Sequence, residues 1–359
     1  MAITKIKQHP PSLILYGPPG TGKTHALTAL TLSVLDPQQT GCGSYAQSII
    51  NGTELVSVSP IDHENWHAEL QRHLHHGRVE FTTFHQNYAY EDFVEGLKAK
   101  LENKTVHYII EPGILKRMAY RALYAWLTGK ESGSVLSEDQ LAKVKDFLSG
   151  KPAPVPVPMH IPSYVLIIDE INRGNVARIF GELITLVEDS KRACRDITPG
   201  AQPVFATLPY TQERFILPPN LHIIGTMNTA DRSLIGLDAA LRRRFDFIEL
   251  PPRPELLGNH VDGVQLSDFL TRLNARIEAK DTRDHCIGHA YFMAATTVTD
   301  IAEVMRRKVI PQLLEYFHDR PQQLSELLTF NGGSFVDKNG RINQAVLLEL
   351  GSYNTFGAA

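Results

Sequence analysis

The sequence has few cysteines and no long apolar run, and both absences exclude classes of protein. Only 3 of its 359 residues are cysteines, Cys42, Cys194 and Cys286, and their odd number and wide spacing do not fit a disulfide framework. Its most apolar segments, such as 164–168, are far shorter than the roughly 20 residues that a membrane-spanning helix needs. The polar segment 1–11 lacks the apolar stretch of a signal peptide. We therefore expect a cytoplasmic protein with no membrane segment.

An excess of either charge is also missing. The formal net charge is −3 and the isoelectric point is near 6.6, so the chain has no global basic field. Contact with nucleic acid would therefore need a local basic patch or a partner chain. The 43% of apolar residues in a chain of this length is enough for a buried core, and the length suggests about two structural units.

Short apolar runs alternate with helix-like segments over the first 250 residues, which predicts an α/β fold with a parallel sheet flanked by helices. A proline cluster at 251–254 indicates a boundary, and the helical segments after it predict a small C-terminal helical domain. The expected domains are 1–250, 251–328 and a tail over 329–359 that forms a hairpin or frays. The expected strands are 12–16, 81–84, 106–110, 164–168, 221–225 and 247–250, and the expected helices are 23–35, 90–100, 116–127, 176–188, 267–277 and 301–317.

The first expected strand leads into a sequence that matches the phosphate-binding pattern G-x-x-x-x-G-K-[ST]. Glycines let backbone N–H groups converge on phosphate oxygens, and the N-terminus of the following helix adds a favourable dipole. A tight loop without nucleotide is the alternative, but the flanking strand and helix favour a phosphate loop. Its lysine would reach the β- and γ-phosphates, and its last threonine would bind Mg²⁺. The candidate nucleotide-binding residues are Gly17, Pro18, Pro19, Gly20, Thr21, Gly22, Lys23, Thr24 and His25.

Two carboxylates end the expected strand 164–168. Asp169 and Glu170 are adjacent, so their side chains point in different directions and cannot do the same work. We expect Asp169 to hold Mg²⁺ beside Thr24, and Glu170 to orient the water that attacks the γ-phosphate. A simple capping role for the pair is the alternative interpretation.

A second group of polar residues follows the expected strand 221–225. There Asn228 could face the γ-phosphate and help to position the water. A guanine-reading loop is a rival interpretation, because Asn-x-x-Asp superficially resembles the N-K-x-D pattern of small GTPases. Here Thr229 and Ala230 stand between the asparagine and the aspartate, so the lysine of that pattern is missing, which disfavours that interpretation.

Two further clusters of polar residues allow more than one role. Arg242, Arg243 and Arg244 could cap a helix end, bind nucleic acid or stabilise the γ-phosphate of a neighbouring subunit, and the last role is favoured with Asp238 orienting one arginine. The histidines of 63–76 could bind zinc, but exposed positions on a helix are favoured because neither a nearby cysteine nor an H-E-x-x-H pattern accompanies them.

The motifs GPPGTGKT, LIIDEINR, GTMNTADRS and LRRRF, in this order, resemble the AAA+ superfamily of P-loop NTPases. Longer strings narrow the resemblance to the McrB family, the GTPase motor subunits of modification-dependent restriction systems. They span most of the chain, and MNTADRS is the most specific of them. The strings lie at 84–96, 168–188, 227–250, 287–293 and 308–317.

The resemblance implies an AAA+ α/β domain with a helical lid, assembled into a ring for which six subunits are expected. It also implies Mg²⁺, GTP (or ATP) as the substrate at subunit interfaces, DNA translocation, and an McrC-like nuclease subunit as partner. Residue by residue, it assigns sensor 1 to Asn228. The interface and water-positioning set would be Asn172, Arg173, Asp238, Arg243 and Arg244.

Three functions remain open from the sequence. The leading one is a ring motor for restriction and phage defence. A MoxR-like ATPase that remodels protein complexes would use the same phosphate chemistry, and a nucleotide-gated assembly platform would bind without hydrolysis. Longer members of the family carry an N-terminal DNA-recognition domain, whereas the phosphate loop here begins at Gly17. We therefore expect a naturally short form, a motor whose DNA reader lies elsewhere, or a truncated chain.

Overall fold

A computed structural model of the chain describes residues 11–36, 42–53, 60–102, 105–152, 158–194, 201–231, 239–258, 261–330, 333–339 and 341–343. None of the helices in these ranges is long and apolar enough to cross a membrane. The strands are β1 (Ser12–Gly17), β2 (Val79–Thr83), β3 (Glu95–Glu102), β4 (Thr105–Pro112), β5 (Tyr164–Asp169), β6 (Ala206–Thr207), β7 (Arg214–Phe215), β8 (Leu221–Asn228), β9 (Asp246–Glu249), β10 (Thr329–Phe330) and β11 (Gly333–Ser334).

Helices separate most of these strands and form the C-terminal part. Met305–Val309 is a π-helical segment between two of them. The α-helices are α1 (Lys23–Leu35), α2 (Cys42–Asn51), α3 (Pro60–His75), α4 (Tyr90–Phe93), α5 (Ile114–Thr128), α6 (Glu138–Leu148), α7 (Val176–Phe180), α8 (Ala239–Arg242), α9 (Leu266–Lys280), α10 (Val298–Val304), α11 (Ile310–Tyr316) and α12 (Pro321–Leu327).

The central sheet has five strands in the order β2-β5-β8-β1-β9. β5 pairs in parallel with β2 and with β8, and its residues are buried except at the carboxyl end. Hydrogen bonds from Ile223 N–H to Pro11 O (2.9 Å) and from Thr229 N–H to Gly17 O (3.2 Å) show that β1 runs parallel to β8. Its carboxyl end therefore meets the same sheet edge as those of β5 and β8. The predicted parallel α/β sheet is confirmed.

The segment after β2 departs from the prediction. A helix was expected over 90–100 and a strand of the central sheet over 106–110, but the helix ends at Phe93. β3 and β4 instead form an antiparallel hairpin with Leu97 opposite Ile110 and Leu101 opposite Val106. Apolar and polar residues alternate along β3, so its period is two rather than 3.6. The helix prediction was wrong beyond Phe93, and the strand lies outside the central sheet.

The helix expected over 176–188 was also too long. α7 ends at Phe180, and Gly181–Val187 continues as a 3₁₀ helix. Gly181 adopts φ +53° and ψ −135°, a conformation that an α-helix does not contain. The apolar residues whose spacing suggested one helix do face the core, because Leu183, Leu186 and Val187 are buried.

The chain divides into two compact units. The first takes the described residues within 1–15, 24–227 and 233–248, and its apolar core packs α5, α7 and the central strands together. The second takes those within 16–23, 228–232 and 249–359, and a separate apolar core joins α9 to α12 there. The strands β10 and β11 pair near the end of the second unit, in the segment for which a hairpin was one expectation.

Candidate functional site

The phosphate loop, residues Gly17–Thr24, joins β1 to α1. Gly20 and Gly22 adopt φ of +75° and +83°, in the left-handed region that residues with a β-carbon rarely occupy. The Thr21 hydroxyl donates to Pro18 O at 3.0 Å and closes the turn from inside. The strand, turn and helix that the motif requires are therefore present.

The lysine of the loop turns back onto its own backbone. Lys23 Nζ donates to Gly17 O at 2.9 Å and to Pro18 O at 2.8 Å, which keeps the ammonium group at the mouth of the loop. Thr24, the next residue, is exposed at the first turn of α1. A cation and a hydroxyl thus flank the loop where the motif expects the phosphates and the metal.

The two carboxylates at the end of β5 are organised by a residue of the neighbouring strand. The Thr226 hydroxyl donates to Asp169 Oδ1 and accepts the backbone N–H of Glu170 at 3.2 Å. The pairing of Ile168 with Gly225 places Thr226 next to this strand end. One hydroxyl of β8 therefore fixes both the first carboxylate and the backbone of the second.

Glu170 has an unusual backbone conformation. Its φ of 50° and ψ of 46° are left-handed, which costs energy for a residue with a β-carbon. The conformation turns the chain into the short helix Ile171–Arg173, in which Asn172 is buried and Arg173 is exposed. Arg173 Nε lies 3.6 Å from Glu170 Oε2. The strain and the nearby guanidinium give Glu170 an orientation distinct from that of Asp169.

Asn228 ends β8 and is half-buried. It lies two residues after Thr226, so the two side chains share one face of the strand. The next residue donates its N–H to Gly17 O, which ties the loop after β8 to the start of the phosphate loop. The strand-end position expected of Asn228 is the observed one.

The arginines after α8 differ in exposure. Arg242 and Arg243 are exposed, whereas Arg244 is packed against its own unit with Nε 3.1 Å from Glu188 Oε1. Asp238, expected to orient an arginine, lies outside the described residues. Arg243 is therefore better placed than Arg244 to reach a neighbouring molecule.

His25 lies in an aromatic cluster formed by α1, α2 and α3. Its ring is stacked on Trp66 at 5.5 Å and lies 5.1 Å from Tyr45, and its Nδ1 is 3.1 Å from His63 Nδ1. Burial, and then the nearby His63, lower the pKa of His25 to about 4. The ring therefore stays neutral near pH 7, and its expected contact with nucleotide remains a prediction.

The histidines of 63–76 are only partly exposed, contrary to expectation. His67, His75 and His76 are exposed, but His63 is half-buried and His73 is buried. His73 also lies close to Glu69 one turn earlier, with Nε2 3.1 Å from Oε1. Within the described ranges, no three His, Cys, Asp or Glu side chains form a group that could hold a metal.

Thr226 is the site residue that the sequence analysis missed. A threonine in a strand is ordinary by composition, and the strand was expected to end at 225. The signal that could have revealed it is the position of Thr226, two residues before Asn228, because alternate residues of a strand share a face.

The family profile described as "AAA domain (dynein-related subfamily)" matches residues 65–245, about half of the chain. The chain belongs to this AAA family. A second profile, "McrB, alpha-helical lid domain", matches residues 265–325, which include α9 to α11. The AAA match begins after Gly17–Thr24, so the phosphate loop is assigned from its own motif and geometry.

Two curated relatives connect this AAA chain to restriction systems. One is the "Type IV methyl-directed restriction enzyme EcoKMcrB subunit" of Escherichia coli K12, 32% identical over 266 residues, which are 68% of this chain and 48% of the relative. The other is the "Type II restriction enzyme BsuMI component YdiS" of Bacillus subtilis 168, 30% identical over 141 residues, 35% of this chain and 41% of the relative. The chain thus spans about half the length of each, and the resemblance to the McrB family is confirmed.

Proposed function

We propose that this chain is the nucleoside-triphosphatase motor of a restriction system. The observation that carries the proposal is the arrangement of one parallel sheet. β1, β8 and β5 are neighbours, and the phosphate loop, Asn228 and the Asp169-Glu170 pair follow their carboxyl ends. Ligands of open α/β sheets bind at this edge. The AAA and lid matches and the two restriction-system relatives support the same function.

The proposed reaction is hydrolysis of the triphosphate to diphosphate and phosphate. Backbone N–H groups of Gly17–Thr24 and the Lys23 ammonium would hold the β- and γ-phosphates. Glu170 would accept a hydrogen bond from the attacking water, while Asn228 fixes that water from the next strand. The Pγ–O bond to the β-phosphate breaks, and the proton of the water is transferred to the phosphate products.

Mg²⁺ fits the residues present. Thr24 supplies a hydroxyl and Asp169 a carboxylate, both hard oxygen ligands of the kind that Mg²⁺ prefers, and Thr226 orients Asp169. When bound, the ion would neutralise charge on the phosphates. GTP is the proposed substrate, with ATP as the alternative, because the preference comes from the family and no base-reading residue is identified.

We further propose a domain arrangement and an assembly. Residues 1–250 form the nucleotide-binding domain, 251–328 the lid and 329–359 a tail. Copies assemble into a hexameric ring in the cytoplasm, and the exposed Arg243 of one subunit contacts the nucleotide of the next. An McrC-like nuclease subunit and DNA are the proposed partners.

Phosphate release tests the reaction directly. Glu170→Gln keeps the shape of the side chain but removes the carboxylate, so it should bind nucleotide normally and turn over at least about tenfold more slowly. Glu182→Gln, an exposed glutamate of the same region, is a control that should keep full activity. Unchanged turnover in Glu170→Gln would remove Glu170 from the role of orienting water.

The assembly and the partners need separate assays. Mixing Arg243→Ala subunits with Lys23→Ala subunits should restore some turnover if the arginine acts on a neighbour, and should restore none if it acts within its own chain. GTP and ATP hydrolysis should each be measured with and without DNA and a candidate McrC-like nuclease subunit. Stimulation by both supports the motor, whereas turnover that responds only to protein partners supports a MoxR-like remodelling ATPase.

A further inference from the structure

Within the second unit, residues 288–291 are attached to the phosphate loop through the backbone. Gly288 N–H donates to Pro19 O at 3.1 Å, and Ala290 N–H donates to Gly20 O at 2.9 Å. The Tyr291 ring packs on the same loop, since a β-carbon at Gly20 would lie 2.6 Å from its Cε2 atom. We refer to residues 288–291 as the clip. The clip thus binds the carbonyl groups of Pro19 and Gly20. It lies within residues 265–325, which the lid profile matches.

The side chain of His289 is enclosed between the clip and a neighbouring turn. It is 5% exposed, and its Nδ1 accepts the backbone N–H of Arg253 at 3.2 Å. A backbone amide can only donate, so Nδ1 carries no proton and the proton of the neutral ring is on Nε2. Burial lowers the pKa of His289, which favours this neutral form. The ring is thus a fixed hydrogen-bond donor.

This donor faces the phosphate loop. His289 Nε2 is 3.8 Å from the position that a β-carbon would occupy at Gly22, the residue before Lys23. Among the residues that the structure describes, none accepts a hydrogen bond from Nε2. Nε2 itself keeps some contact with solvent, so a phosphate oxygen in the loop would replace water as its acceptor.

We propose that His289 is a further nucleotide-binding residue, whose Nε2–H donates to a phosphate oxygen of the triphosphate held by Gly17–Thr24. The inference rests on the nucleotide-binding function proposed above and adds a contact from the clip to it. Hydrogen bonds to charged acceptors are the stronger ones, so this contact favours the bound state more than a neutral pair would. The clip already donates backbone hydrogen bonds to Pro19 and Gly20, so the contact from His289 would add to an existing attachment of the phosphate loop.

Two substitutions separate nucleotide binding from a purely structural role. His289→Asn keeps an acceptor where Nδ1 lies, for Arg253, but has no donor where Nε2 lies. His289→Gln places an amide N–H near the position of Nε2 but loses the Nδ1 acceptor. Binding of the slowly hydrolysed analogue GTPγS with Mg²⁺ is measured by calorimetry, and the melting temperature is measured without nucleotide.

The proposal predicts that His289→Asn binds the analogue about tenfold more weakly than the unmodified chain, with an unchanged melting temperature, and that His289→Gln binds within about threefold of it. The reverse pattern, weak binding or lower stability only in His289→Gln, would show that the histidine merely supports Arg253 and would overturn the proposal. Normal binding in both variants would overturn it too. If the unmodified chain and Lys23→Ala both fail to bind, the proposed function itself fails, which is a different result from failure of the His289 contact alone.

Discussion

At the scale of single residues, one hydroxyl organises the acidic end of β5. Thr226 donates to Asp169 and accepts from Glu170 N–H, so it sets the direction of a carboxylate without touching substrate. Partners of this kind typically change metal affinity or activity by about 10–100-fold when they are removed. Thr226 is only 3% exposed, so solvent reaches its side chain poorly.

We therefore expect Thr226→Val to lower phosphate release by about 10–100-fold and to raise the Mg²⁺ concentration needed for half-maximal turnover. Valine has nearly the same shape, so the variant should fold. Thr226→Ser keeps the hydroxyl and is the matched control, expected to retain most activity. If valine and serine variants behave alike, the hydroxyl does not position Asp169.

At the scale of the elements, the site was more predictable than the chain around it. The phosphate loop and the strand ends carry strong local signals, since glycines at positive φ and apolar runs before polar residues admit few structures. The hairpin β3–β4 was mistaken in part for a helix because Tyr90–Phe93 does begin one, and only long-range pairing decides where it ends. The clip could not be predicted, because its contacts join residues far apart in the sequence.

The fit between the clip and the loop depends on the absence of a side chain at Gly288. Its φ of −72° and ψ of 150° suit any residue, but an added β-carbon would lie 2.0 Å from the carbonyl group of Gly20. Gly288→Ala should therefore push the clip off the loop, break both backbone hydrogen bonds and weaken nucleotide binding by at least about tenfold.

Gly258→Ala is the control for that variant, because no atom lies within 4 Å of its added β-carbon. Calorimetric binding of GTPγS and melting temperatures should be compared for both variants. Equal affinity in Gly288→Ala and Gly258→Ala would mean that the clip contributes nothing to the loop.

A charged network joins β3, α5 and α6 to Glu213, the residue before β7. Glu213 accepts hydrogen bonds from Lys116 at 2.8 Å, from Lys145 at 2.9 Å and from the Tyr120 hydroxyl at 3.0 Å. Burial raises the pKa of Glu213, but the hydrogen bonds from the two lysines outweigh it and lower the pKa from 4.5 to about 2. Its stabilisation is therefore present above pH 4.5 and is lost as the pH falls through that value toward 2.

Glu213→Gln should lower the free energy of unfolding by about 1–2 kcal/mol at pH 7, a modest loss because Lys116 keeps Glu95 and water screens a partly exposed carboxylate. The difference from the unmodified chain should shrink as urea unfolding is repeated at pH 5, 4 and 3, since the carboxyl group of the unfolded chain then becomes protonated while that of the folded chain does not. Glu111→Gln, which removes an exposed pair with Lys98, should change little at any pH. A pH-independent loss in Glu213→Gln would show that shape rather than charge matters there.

At the scale of the whole molecule, the residues that the structure describes form two apolar cores, one in each unit, so melting need not be a single transition. A ligand that binds only the folded chain stabilises it by about 2.7 kcal/mol at a hundred times its dissociation constant. For domains of roughly 150–250 residues this corresponds to about 5–10 °C in melting temperature.

Mg²⁺ with GTPγS should therefore raise the melting temperature by about 5–10 °C. EDTA should remove most of the shift, because in the proposed site the carboxylate of Asp169 and the hydroxyl of Thr24 would act on the nucleotide through the metal. Lys23→Ala should abolish the shift while melting like the unmodified chain without ligand. A shift of equal size in Lys23→Ala would place the nucleotide outside the phosphate loop. Comparing GTP, ATP and their diphosphates by the same measurement then gives the base preference without requiring turnover or a partner.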